Sequence, residues 1–193
     1  MNKAADLKNR DYTSKDIVTM AVFHLGGAAR YIHVEDVAMK AAKLSPKRFC
    51  WKKYPDQTNL ELVRLALKNE LASVNRRIVG GIRDGWMLTP TGLSWCLTAS
   101  GGGNNRSLID ELHQEIDRAK KTPAFIKTIG GRRDQVSVLE VENLIRVNDY
   151  FTARDRKERI LALANAAVLD PQLRLVLATL KDQGFKELEV KDD

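Results

Sequence analysis

The sequence predicts a mainly α-helical chain with one small β-hairpin, in two parts. Three observations predict it. Apolar residues recur at helical spacing along most of the 193 residues. A single Asp84-Gly85 pair sits between two short β-prone segments, and both residue types tolerate the positive φ of a tight hairpin turn. A glycine- and asparagine-rich stretch, Ala99-Ser-Gly-Gly-Gly-Asn-Asn-Arg106, then separates this mixed half from a half that reads entirely as helix.

The elements of the first half follow from their punctuation. Ser14 is placed to cap a helix whose apolar stripe is Ile17, Val18, Ala21, Val22 and Leu25, stopped by Gly26-Gly27. Arg30-Tyr-Ile-His33 has β character. A second helix over 34–44 packs through Val37, Ala38, Ala41 and Ala42. Ser45-Pro46 begins a short basic helix that Pro55 ends by about Tyr54. A longer helix over 57–72 carries Leu60, Val63, Leu67 and Leu71. The hairpin segments are 77–82 and 86–89. Thr89-Pro90 starts another helix, packed through Leu93 and Trp95.

After residue 106 the predicted helices run from Ser107 to about Thr122, over 138–151, over 156–169, and from the Asp170-Pro171 cap to Gly184. A second break falls at Gly130-Gly-Arg-Arg-Asp134.

Charge divides along the same line. Residues 1–98 hold 16 Lys and Arg against 9 Asp and Glu, whereas the remainder holds 16 of each, so the whole excess of seven lies in the first half. A basic part joined to a neutral part suits a polyanion-binding module attached to something else. The composition, 44% apolar and 30% charged, reads as soluble and globular. No apolar run suits a membrane span or a signal peptide, and Cys50 and Cys96 lack any paired spacing, so a cytoplasmic protein with reduced thiols is expected.

The order helix, short strand, helix, helix, hairpin, helix resembles the winged helix-turn-helix superfamily. Gly85-Trp-Met-Leu-Thr-Pro-Thr-Gly92 is similar to the Leu-Thr-x-x-Gly ending of the last wing strand in many bacterial winged-helix regulators. The resemblance implies a winged helix-turn-helix domain over 11–98, a linker over 99–106, and a helical domain over 107–193 that dimerises or docks on a partner. The extra basic helix departs from the pattern and leaves open which helix enters the major groove.

Three clusters are candidates for contact with double-stranded DNA. Arg76, Arg77 and Arg83 flank or cap the hairpin, where the resemblance implies contacts to phosphate. Lys47, Arg48, Lys52 and Lys53 are interleaved with three aromatics. Of these aromatics Phe49 is expected inward, while Trp51 and Tyr54 are placed under the next helix. Thr58, Asn59, Arg64 and Lys68 are expected on the polar face of the long helix, where Asn and Arg suit adenine and guanine edges. Enzymatic chemistry has thin support. His24, His33 and His113 are isolated, no metal-ligand spacing occurs, and Gly101-Gly-Gly103 lacks the Lys-Ser/Thr of a phosphate loop. The expectation is a non-enzymatic regulator without cofactor, acting as a homodimer. The alternative is a small DNA-binding or scaffolding subunit of a DNA-processing, restriction or anti-phage defence complex.

Overall fold

The computed structural model describes residues 12–100 and 106–188. The chain is mainly helical with one two-stranded antiparallel hairpin, and it divides into two compact units, residues 1–105 and 106–193. Residues 101–105 of the predicted linker, and Asp11 at the predicted domain start, lie outside the described residues.

In the first unit, α1 (Ser14–His24) is capped one residue earlier than predicted. The Thr13 side chain accepts from Asp16 N while Asp16 reaches back to Thr13 N, two reciprocal bonds that satisfy orphan donors. Helix α2 (Val34–Leu44) follows a cap by His33. Helix α3 is a single turn, Pro46–Phe49, and α4 is Leu60–Leu71. Strands β1 (Ile78–Gly81) and β2 (Gly85–Leu88) pair in register from Ile78 opposite Leu88 to Gly81 opposite Gly85. Helix α5 is Pro90–Ala99.

The core of this unit forms where α1, α2, α4 and the hairpin converge. Val18, Ala21, Val22, Phe23, Val37, Ala41, Val63, Leu67, Trp86, Met87 and Leu88 are all buried there. The β-prone segment before α2 joins the hairpin as a third, one-residue strand. Ile32 N donates to Trp86 O at 2.9 Å and Trp86 N returns a bond to Ile32 O at 2.8 Å. This approach explains Gly85, which has φ +89° and whose Cβ would meet Ile32 O at 2.8 Å. Gly92 is equally constrained, because a Cβ there would stand 1.9 Å from Arg77 O. Thr89 closes the corner by donating to Arg76 O and capping Gly92 N.

The second unit is helical throughout its described residues. It comprises α6 (Arg106–Lys120), α7 (Pro123–Ile129), a 3-10 turn at Arg133–Gln135, α8 (Val138–Ile145), α9 (Ala153–Leu169), α10 (Pro171–Asp182) and a final 3-10 turn at Lys186–Leu188. Leu112, Ile116, Leu144, Ile145, Leu163, Ala166, Leu173, Val176 and Leu180 form its core. Helix α7, which Thr122-Pro123 caps, falls between the predicted helices, and α9 begins at Ala153 rather than 156. Helix α8 stops at Ile145 rather than 151 because Arg146 turns left-handed, with φ +66°. Among the described residues no helix is long and apolar enough to cross a membrane.

Candidate nucleic-acid interface

Between α3 and α4 the chain makes a nine-residue excursion, residues 50–58, that is closed at its base. Cys50 and Thr58 form a β-bridge, Trp51 N donates to Gln57 O at 3.0 Å, and Gln57 N donates to Tyr54 O at 3.0 Å. Phe49, fully buried, anchors one side. Asn59 anchors the other. Its backbone N donates to Phe49 O at 2.7 Å, and its side chain caps α4 by accepting from Glu61 N and Leu62 N. The predicted helix over 46–54 is therefore one helical turn followed by a tied loop. Pro46 supplies the helix start, and Pro55 sits in the loop rather than at a helix end.

Lys47, Arg48, Lys52 and Lys53 are all exposed on this segment. Among the described residues Lys47, Arg48, Lys52, Lys68 and Arg83 carry no ion pair. Lys53 lies over the Tyr54 ring at 5.7 Å. Trp51 and Tyr54 are not packed under the next helix as expected. Each keeps half of its surface exposed, and of the three aromatics only Phe49 is buried.

The outer face of α4 also differs from expectation. Val63, Ala66, Leu67 and Glu70 face inward, which turns Leu62, Leu65 and Lys68 outward. Arg64 is half-buried and reaches Glu61 at 3.7 Å. Thr58 is half-buried, and its hydroxyl contacts the Met39 sulfur at 3.7 Å. Asn59 is buried, with its acceptor oxygen committed to the α4 amides, so it is removed from the base-contacting set.

At the hairpin, Arg76 and Arg83 are exposed, but Arg77 turns inward. Its guanidinium meets Asp16 and Glu70 at 2.7 Å each, its Nε donates to Glu70 at 2.8 Å, and it lies 4.2 Å from the centre of the Trp95 ring. Arg77 is therefore a structural clasp between α1, α4 and β1, not a phosphate contact. Glu70 is almost wholly buried, and its place on the inward face of α4 is the sequence signal that a buried cation must face it. Burial pushes the Asp16 carboxyl upward, but bonds from Thr13 and Arg77 outweigh it and hold the group below the usual carboxylate range. The same network keeps Arg77 charged. Burial pushes the Cys96 thiol up, so it stays protonated and unreactive.

His33 caps α2 through Nδ1 at 3.4 Å from Glu35 N. Among the described residues no group of three or more His, Cys, Asp or Glu could hold a metal ion.

In the second unit Arg118, Lys120, Lys127, Arg146 and Arg156 each stand within 4.0 Å of a carboxylate. Its exposed apolar residues include Ile126 and Ile129 on α7 and Leu175 on α10. Ile129 and Leu175 share an open groove of about 400 Å³ with Arg133 and Asp134.

No protein-family model, no curated protein and no solved structure matches this chain.

Proposed function

We propose that the first unit is a winged helix-turn-helix domain that binds double-stranded DNA. On this reading the protein is a prokaryotic-type, cytoplasmic transcriptional regulator without enzymatic activity, dimerised through its helical second unit. One observation carries the reading. Lys47, Arg48, Lys52, Lys68 and Arg83 stand exposed without ion pairs on the unit that holds the whole charge excess of the chain. Exposed cations release counterions when they meet phosphate, which drives association with duplex DNA. The isolated Ile32–Trp86 bridge supports the reading, because it sets an extended residue beside the hairpin where the superfamily has a short strand, with the single-turn α3 as an extra element. The exposed Ile126, Ile129 and Leu175 supply apolar surface for a partner copy.

A mobility-shift titration across salt tests the reading, with light scattering of the free and duplex-bound protein alongside. Salt-sensitive binding by a dimer is expected. Absence of binding at low salt overturns it.

A second reading has its own observation. Leu62 and Leu65, one turn apart on α4, are 41% and 55% exposed, and Met39 nearby on α2 is 55% exposed. Such a face suits protein contact better than a hydrated groove. The chain would then be a non-catalytic subunit of a DNA-processing, restriction or defence assembly. Copurification with a much larger ATPase or nuclease favours this reading, and a clean homodimer favours the first.

A further inference from the structure

The tied loop over 50–58 holds two aromatic rings at half exposure amid cations, an arrangement that duplex binding does not use. Paired bases are stacked on one another and offer only their edges in the grooves. A ring face presented to solvent finds a matching surface on a base whose own faces are uncovered. Stacking of this kind is tolerant of sequence, because every base has a π-face, and it works beside a basic track that holds the backbone.

The loop meets both requirements. Trp51 and Tyr54 are each 50% exposed. Lys47, Arg48, Lys52 and Lys53 flank them along the chain, Lys53 Nζ lies 5.7 Å from the centre of the Tyr54 ring, and Asp56 is the sole carboxylate between residues 47 and 58. The loop is also held before any ligand arrives. The Cys50–Thr58 bridge, the Trp51–Gln57 bond and the Asn59–Phe49 bond fix its base, so little further ordering is needed on binding. The charge balance argues against an acid-free apolar partner and for a polyanion. The rings argue for a polyanion with planar groups.

We infer that residues 47–58 form a stacking platform for unpaired nucleotides, with Trp51 and Tyr54 against the bases and Lys47, Arg48, Lys52 and Lys53 on the phosphates. The platform goes beyond the duplex reading and does not use the hairpin.

The test is fluorescence anisotropy with the full chain, using labelled oligo(dT), oligo(U) and a mixed-sequence duplex. Trp51→Ala is expected to weaken binding of at least one single strand by roughly 5- to 150-fold, the worth of one stacked base, while duplex affinity changes less than about twofold. Trp51→Phe, which keeps a ring, should retain most of the affinity. Protein emission should be quenched on adding the single strand, and the quenching should vanish in Trp51→Phe. Single-strand affinity unchanged in Trp51→Ala, or quenching that persists in Trp51→Phe, overturns the platform. Duplex bound without either single strand also overturns it and leaves the duplex reading intact. Trp51-dependent single-strand binding without duplex binding sustains the platform and defeats the duplex reading.

Discussion

The two units hold nearly equal shares of Lys and Arg, yet they use them in opposite ways. In the second unit Lys and Arg equal Asp and Glu in number, and Lys120–Asp170, Lys127–Glu140 and Arg118–Glu115 fasten one helical segment to another or to itself. In the first unit one cation, Arg77, is taken inside to hold α1, α4 and β1 together, while a run from Lys47 to Lys53 is left facing water. The difference teaches where to look for a ligand. Paired charges contribute to the fold and cost little, whereas a fold gains nothing from a run of like charges that repel one another.

The largest effect should come from the one cation that the first unit buries. Arg77→Met leaves Asp16 and Glu70 without their cationic partner and should cost roughly 3–5 kcal/mol. All three tryptophans, Trp51, Trp86 and Trp95, belong to the first unit, so urea unfolding followed by their emission reads that unit alone. A loss under about 1 kcal/mol would show that the clasp is dispensable. Gly92→Ala should follow, at roughly 1–3 kcal/mol, because its methyl group meets the Arg77 carbonyl. Asn59→Ala removes the α4 cap and should cost about 1 kcal/mol. It should also loosen the loop, seen as faster amide exchange at Trp51 and Gln57.

Acid should weaken both units, through different residues. Asp16 and Asp170 both titrate below their ordinary 3.8. For Asp170, burial raises the value but the Lys120 bond and the Leu173 amide lower it further. A carboxyl with a depressed folded value contributes stability above its ordinary value and loses it as pH falls through the folded one. Unfolding free energy should therefore drop below about pH 4 in both units. Asp16→Asn should flatten that limb in tryptophan emission, whereas Asp170→Asn should leave it unchanged there.

Much of this contrast was legible in the sequence. Charge asymmetry, the Asp84-Gly85 turn and the bounds of α2 are local properties, and the structure has α2 at Val34–Leu44 as the spacing predicts. What was not legible depends on which way a helix rolls. Leu60, Val63, Leu67 and Leu71 predict a stripe, but the packed face is Val63, Ala66, Leu67 and Glu70, a rotation that takes Leu60 and Leu71 to its edge and brings Glu70 inside. Glu70 meets Arg77 there, a tertiary pairing that apolar periodicity does not encode. The same holds at Asn59, which sequence spacing places on a polar face and which tertiary bonding makes a joint. Arg146 ends α8 without the glycine or proline that marks a stop. In contrast, Thr122-Pro123 is the same Thr-Pro start as Thr89-Pro90 and could have been read.

The smallest single effects should come from the exposed cations. Lys52→Ala, Lys53→Ala and Arg83→Ala should each weaken duplex binding about equally across sequences and reduce the salt slope by about 1. Loss confined to one sequence for Arg83→Ala would mean that it reads a base rather than a phosphate.

The most direct measurement is duplex affinity against salt for the full chain and for a Lys47, Arg48, Lys52, Lys53 quadruple alanine variant. The account predicts a linear fall of log affinity with log salt, and a slope smaller by about 3 to 4 in the variant. No duplex binding at low salt, or a variant with an unchanged slope, would contradict it.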